Sequence, residues 1–394
     1  MTEHDDMFSE ELQKAAKKCL TLNYPFAIVL MPGGRKPLFF ASDSADDSPV
    51  YAGGYFLPGF AASFFGDHPE MAAYIAPKFT VEDVLNLPDD ATPLPVSTEP
   101  FPSASTDFMT YYAIVRELVA EHRRDNAKTV ISRVIRFQTS VPVMTVASRY
   151  FRKMTRTFRF LYFTPQTGLW LGATPELLYE WTASTGAFRT MSLAGTRKKS
   201  IGSDKPEWDD KNRKEHDYVT DFIHDAFSEL GVKHTVMTGN SLSFGNLEHI
   251  CDMIDGTTDV PPAKVIDKLD PTPAVAGFPI GDAAQRIIYY EPHDRLCYSG
   301  FVSVTDKKKT SVYVNLRSAV VRPHADGSYD YAIFAGGGIT KSSNPIDEWK
   351  EAASKASFLY RAANEGNVLP HPSLKELAET PLDENSDKIR LAKP

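Results

Sequence analysis

Strand-like segments that follow one another through the middle of the chain set the strongest limit on its fold. Thr129 to Ile135, Phe158 to Phe163, Leu169 to Gly172, Leu177 to Trp181 and Phe188 to Leu193 are short β-branched or aromatic runs broken by turn residues. Helical spacing appears before them, at Tyr111 to Arg124, and after them, at Asp210 to Leu230, where Tyr218, Phe222, Ile223, Ala226 and Phe227 form an apolar stripe. A further helix is predicted near Asp282 to Tyr290, strands over Val312 to Val321 and Tyr329 to Ala335, and a helix over Pro345 to Ala363. Strands and helices that cluster rather than alternate favour an α+β fold over a doubly wound parallel sheet.

A chain of 394 residues can bury a large core, as one large domain or two medium ones. In residues 1–107, rich in aromatics, Gly and Pro, Phe26 to Leu30 and Pro37 to Phe40 read as strands around a turn at Gly33 and Gly34. Asn86 to Thr106 reads as a long loop, and the polar residues 366–394 as a loosely held tail. No periodic repeat is visible.

The formal net charge is −8. That argues against a chain that coats nucleic acid or anionic lipid, because both select clustered Lys and Arg. An anionic substrate would need positive charge gathered locally. Three scattered cysteines, Cys19, Cys251 and Cys297, fit a reducing compartment rather than a disulfide framework. The acidic Met1 to Glu11 stretch lacks a secretory pattern, and no apolar run approaches the roughly 18 residues that span a bilayer. A cytoplasmic protein without membrane partners is the expectation.

Five segments carry more specific chemistry than packing requires: AKTVISR (127–133), GATPELL (172–178), SLAGTR (192–197), KEHD (214–217) and AGGGITKSSNPIDEWKEAASK (335–355). Gly336, Gly337 and Gly338 end an apolar strand, so the backbone can approach a ligand and form an anion nest. Asn344 and Pro345 suit the start of the helix that follows. Glu351 and Lys355 share a helix face, either as a solvated ion pair or as site residues. Glu215 is equally open between an exposed face and a site. If Glu215 and Glu351 converge, their oxygens suit Mg²⁺ before Zn²⁺. Glu176 follows a proline turn and can point into a cleft. Lys128 is either a solvated strand end or a general base, and a base needs burial or nearby positive charge to lose its proton. Arg317 interrupts an apolar run, where it snorkels or awaits a carboxylate.

From about Tyr111 to Ala363 the sequence resembles the chorismate-utilising enzymes, that is the isochorismate, salicylate, anthranilate and aminodeoxychorismate synthases. The matching pieces are KTVISR, GATPELL, SLAGTR, KEHD, LEHI, DPTPAVAGFP, EPHDRLCYSG, LRSA and AGGGI with EWKEAASK. The resemblance implies one large two-lobed α+β domain of two antiparallel sheets packed face to face, helices outside, and the site in a cleft. Residues 1–107 would contribute strands to that same unit, and 108–365 would form the chorismate-binding catalytic region. By resemblance Glu215 and Glu351 hold Mg²⁺, which holds the substrate's ring carboxylate. Arg317, Tyr298, Lys355 and the Gly336–Gly338 backbone grip its carboxylates, and Thr196 lies beside it. Glu176 is the acid for the C4 hydroxyl, and Lys128 the base that activates water.

The water-using members resemble this chain at Lys128, whereas Ala194 stands where aminodeoxychorismate enzymes place a nucleophilic Lys. Isochorismate synthase is therefore the expectation. A salicylate synthase that also eliminates pyruvate and a divergent chorismate binder without activity are the alternatives. No glutamine amidotransferase partner is expected, and a monomer follows from likeness to the water-using branch. Three departures from the family pattern bear on rate and product partition. Asp270 replaces the usual His of L-H-P-T-P, adding negative charge near the ring, the aromatic-D-R-G motif reads HDRLCYSG with His293, Leu296 and Cys297 in place of the usual residues, and the usual H-L-x-T reads His249-Ile250-Cys251-Asp252.

Overall fold

A computed structural model describes residues 7–44, 50–67, 71–95, 100–199, 207–244 and 247–369. In chain order the N-terminal part holds α1 (Glu10–Leu22), β1 (Phe26–Leu30), β2 (Leu38–Ala41), β3 (Tyr51–Ala52), β4 (Tyr55–Phe56), β5 (Gly59–Ala62), β6 (Ala73–Ile75) and α2 (Val81–Leu85). The middle holds α3 (Phe108–Asp125), β7 (Lys128–Thr139), α4 (Val143–Lys153), β8 (Phe158–Thr164), β9 (Gly168–Thr174), β10 (Leu177–Thr182) and β11 (Ala187–Lys198). There follow α5 (Asp210–Glu229), β12 (His234–Phe244), β13 (Leu247–Thr257), α6 (Pro262–Leu269), β14 (Gly277–Phe278) and α7 (Ile280–Tyr290). The last elements are β15 (Phe301–Thr305), β16 (Lys309–Val314), β17 (Ser318–Pro323), β18 (Tyr329–Ile339) and α8 (Pro345–Ala363).

Two eight-stranded sheets form the body. The first has the order β14-β7-β18-β17-β9-β8-β1-β2 and the second β12-β13-β11-β10-β16-β15-β5-β6. Every ladder in both is antiparallel. The sheets pack face to face through Phe160, Tyr162, Trp170 and Phe334 of the first and Phe60, Val302 and Tyr313 of the second. On the far face of the first sheet, α1, α4 and α8 bury Leu12, Tyr150, Phe151 and Leu359. On the far face of the second, α5 and α6 bury Val219, Ile223, Phe227 and Ile266. The α+β expectation and its two antiparallel sheets thus hold. The N-terminal part supplies β1 and β2 to one sheet and β5 and β6 to the other.

Local sequence explains the helix ends. Ser9 caps α1, its Oγ accepting from the Leu12 amide at 3.2 Å, and Asp107 caps α3 through the Thr110 amide at 2.9 Å. Asn344 caps α8 with Pro345 in the first turn, as the sequence predicts. Cys19, Cys251 and Cys297 are buried and unpaired, and burial pushes each thiol up to about 12, which leaves them unreactive packing groups.

The structure differs from the sequence reading in several elements, and it adds α1, β13, α6 and β15, which that reading did not assign. Helix α4 lies inside the run of predicted strands, although its buried Val143, Val146, Ala147, Tyr150 and Phe151 carry helical spacing. Strand β12 is mostly exposed, so no alternation of apolar residues announced it. The single strand predicted over Val312 to Val321 is two strands in different sheets, β16 and β17. Between them Arg317 adopts a left-handed φ of 51°. Asn86 to Thr106 holds no helix or strand among its described residues. Most of the tail predicted over 366–394 lies outside the described residues.

Candidate active site

The site forms where the chain changes sheets. After β9 it crosses from the first sheet to the second through Pro175 and Glu176, and after β16 it crosses back through Asn315 to Arg317. Because β9 pairs with β17 and β10 pairs with β16, the two crossings run side by side. The Val314 amide donates to the Glu176 carbonyl at 3.1 Å. The Tyr150 hydroxyl donates to the Arg317 carbonyl at 2.9 Å, holding that residue in its uncommon backbone conformation. An acid and a guanidinium are thereby delivered to one cleft. All eleven site residues nominated from the sequence line it: Lys128, Glu176, Thr196, Glu215, Tyr298, Arg317, Gly336, Gly337, Gly338, Glu351 and Lys355.

Lys128 is no solvated strand end: it is 2% exposed at the start of β7, with Nζ 4.0 Å from Glu215 Oε2. Burial pushes its pKa down, Glu215 opposes that, and Lys355 and Lys211 reinforce it. Glycine is needed opposite. A Cβ on Gly338 would stand 2.7 Å from Lys128 Cε and 3.3 Å from Glu215 Oε2. The three glycines correct an expectation, since they lie within β18, have no positive φ, and form no nest. Beyond Ile333 that strand pairs only with β7, so one backbone edge faces the cleft. The Gly336 carbonyl on this stretch accepts from Lys355 Nζ at 2.9 Å.

Glu176 is 4% exposed, and its Oε1 is 3.5 Å from the Thr272 hydroxyl. Burial raises its pKa to about 7, with Asp270 adding to the rise and Lys128 and Lys355 opposing it. Asp270 itself is raised to about 7 by burial, and its Oδ1 is buried without a partner. The negative charge predicted at Asp270 is therefore largely neutralised below that pH.

Glu215, 8% exposed on α5, and Glu351 on α8 converge, and α8 brings a third carboxylate that sequence reading missed. Glu348 is 3% exposed and accepts from Lys211 Nζ at 2.9 Å. Its signal was present, because Glu348 and Glu351 share a helix face. Burial raises both Glu215 and Glu348, and repulsion from Glu351 adds to each. A Cβ on Gly337 would stand 3.1 Å from Glu348 Oε2 and 4.0 Å from Glu351 Oε1. Glu351 also pairs with Lys355 at 2.9 Å. Among the described residues no three His, Cys, Asp or Glu side chains form a ready ion cage. The donor chemistry nevertheless fits Mg²⁺: three oxygen-only groups, two of them desolvated and made less acidic by neighbouring carboxylates.

Across the cleft, Arg317 donates to His249 Nε2 at 3.0 Å, so the ring carries its proton on Nδ1, toward the Gly195 carbonyl and Thr196 hydroxyl at 3.2 Å each. Burial holds His249 far below its usual range, with Arg317 and Lys355 adding to the effect. His249 appears in the LEHI motif, but nothing in the sequence assigned it a place. Tyr298 is 4% exposed and stacks on Phe334 at 5.3 Å.

Two paired sheets thus enclose a cleft lined by desolvated carboxylates, lysines and one arginine. The chain belongs to the chorismate binding enzyme family, whose profile matches residues 80–364. It is 26% identical to isochorismate synthase EntC of Escherichia coli K12 over 245 residues, which are 59% of this chain and 61% of that protein. It is 29% identical to isochorismate synthase MenF of the same organism over 261 residues, 62% of this chain and 57% of that protein. The chain thus spans about three-fifths of the length of these relatives. Its fold matches the solved structure of MenF, the menaquinone-specific isochorismate synthase of Escherichia coli, with a TM-score of 0.69 and 20% identity, covering 91% of this chain and 92% of that one. Among the described residues no helix is long and apolar enough to cross a membrane.

Proposed function

We propose that this chain is an isochorismate synthase that converts chorismate to isochorismate with Mg²⁺. The observation that carries the reading is one cleft holding a lysine whose pKa is pushed down and a carboxyl whose pKa is raised to about 7. Burial moves a base and an acid toward neutrality from opposite sides, as proton transfer in both directions requires. Lys128 takes a proton from water, and the water oxygen bonds to C2 of the ring. The ring double bonds shift, the C4–oxygen bond breaks, and Glu176 gives its proton to the departing hydroxyl. Arg317, Tyr298, Lys355 and the free edge at Gly336–Gly338 hold the substrate's carboxylates, with Thr196 beside them. Glu215 and Glu351, supported by Glu348, would hold Mg²⁺, which supplies positive charge for the ring carboxylate. Local cations then offset the chain's net charge of −8 where an anion must bind.

Incubation with chorismate and Mg²⁺, with the product identified by NMR, tests the assignment. Isochorismate is the expected product. Salicylate would move the reading to a synthase that also eliminates pyruvate, and Mg²⁺-dependent binding without turnover would make the chain a chorismate binder. Glu351→Gln should weaken Mg²⁺ binding at least tenfold; an unchanged Mg²⁺ dependence would remove Glu351 as a ligand.

A further inference from the structure

The His of KEHD and the Asp of HICD play no part in the chemistry above, yet they meet in the interior. His216 Nε2 donates to Asp252 Oδ2 at 2.9 Å, and the two residues are 5% and 6% exposed. Asp252 on β13 lies directly across from Ser192 on β11. Ser192 Oγ is 3.4 Å from His216 Nδ1 and accepts from the Thr220 hydroxyl, one turn further along α5, at 2.8 Å. Two strands and two helical turns are thus tied by one buried polar network.

Its place in α5 matters. The first apolar anchor of that helix on the sheet is Val219, and everything before it, from Asp210 to Tyr218, is polar or amphipathic. Other side-chain ties of this early segment run from half-buried or exposed side chains on α5, Lys211 to Glu348, Lys214 and Tyr218 to Asn126, and Asn212 to the Thr196 amide, besides the 4.0 Å approach of Lys128 to Glu215 itself. Within the segment, Glu215 and His216 are the two buried residues. They are sequence neighbours about 100° apart around the helix, so one faces the cleft while the other faces the sheet.

We propose that Asp252 and His216 are positioning residues that set the height and rotation of α5 and so place the Glu215 carboxylate for the divalent cation. This rests on the Mg²⁺ reading above. Groups behind a metal ligand commonly change metal affinity by roughly 10- to 100-fold when lost. The network also gives Asp252 a role: a carboxylate accepts the imidazole N–H with a charge-assisted bond.

The test is Mg²⁺ titration of the purified full chain by calorimetry, with chorismate binding and circular dichroism measured in parallel. Asp252→Ala is expected to weaken Mg²⁺ binding about tenfold or more, while metal-free chorismate binding changes little. Asp252→Asn, which keeps an oxygen acceptor for Nε2–H, should stay within about threefold of the unmodified protein. If Asp252→Ala does not fold, Asp252→Ser, which withdraws the acceptor from reach, is read in its place. A folded Ala or Ser variant with unchanged Mg²⁺ affinity would overturn the positioning role alone. Absence of Mg²⁺ binding by the unmodified protein would overturn the metal reading and this proposal together.

Discussion

Lys128→Ala is expected to lower kcat by about 10³-fold while chorismate affinity changes only a few-fold. The side chain reaches the cleft from the first residue of β7, almost fully enclosed, and burial works against its charged form. Its task needs that environment, since an exposed lysine would keep its proton at neutral pH. Lys128→Arg should fail equally, because a guanidinium does not surrender a proton under these conditions. The rate of the unmodified protein should rise with pH as Lys128 loses its proton. It should fall again as Glu176, raised to about 7, loses its own. Steady-state kinetics over pH 5 to 9 would check both limbs, and turnover retained in Lys128→Ala would sink the base assignment.

Glu176→Gln should cost about 10²-fold or more in kcat and, at the same time, stabilise the fold at alkaline pH. An ordinary glutamate titrates at 4.5, and here burial raises it to about 7. Below the lower value both folded and unfolded chains carry the neutral acid. Above the upper value the folded chain must hold a buried carboxylate, so stability contributed by the protonated form is lost as pH rises from about 4.5 through 7. A glutamine escapes that loss. The gain at pH 8 should be on the order of 2–3 kcal/mol, several degrees in Tm, and should vanish at pH 4. Thermal unfolding at the two pH values decides the matter. Equal Tm for both proteins at pH 8 would show that its surroundings do not raise the pKa of Glu176. A variant more stable and less active also fits the general pattern that sites store unfavourable electrostatics.

Much of this was legible in the chain. Short β-branched or aromatic runs between turn residues marked β8 to β11, of which β8 and β9 are buried along their whole length, and the family motifs pointed to Lys128, Glu176, Glu215, Arg317 and Glu351. Where legibility failed, the cause was local. Strand β12 exposes most of its residues and so has no buried face to imprint a pattern. Arg317 sits at a change of sheet, where apolar residues continue on both sides and mask the break. Glu348 was overlooked because a carboxylate in a first helical turn reads as an ordinary favourable placement beside the helix dipole.

Covalent order determined which groups this protein can bring to a reaction: an α+β chain, a family, and a set of acids, lysines and one arginine with ambiguous roles. Tertiary structure decided their surroundings. Whether Lys128 is a solvated end or an enclosed amine, whether Glu176 titrates as an ordinary carboxylate or near 7, and whether Glu215 is a surface charge or a buried one depend on desolvation and on neighbours far away in sequence. Two antiparallel sheets exchanging strands at adjacent crossings supply both, because packing excludes water and sets opposite charges within a few ångströms.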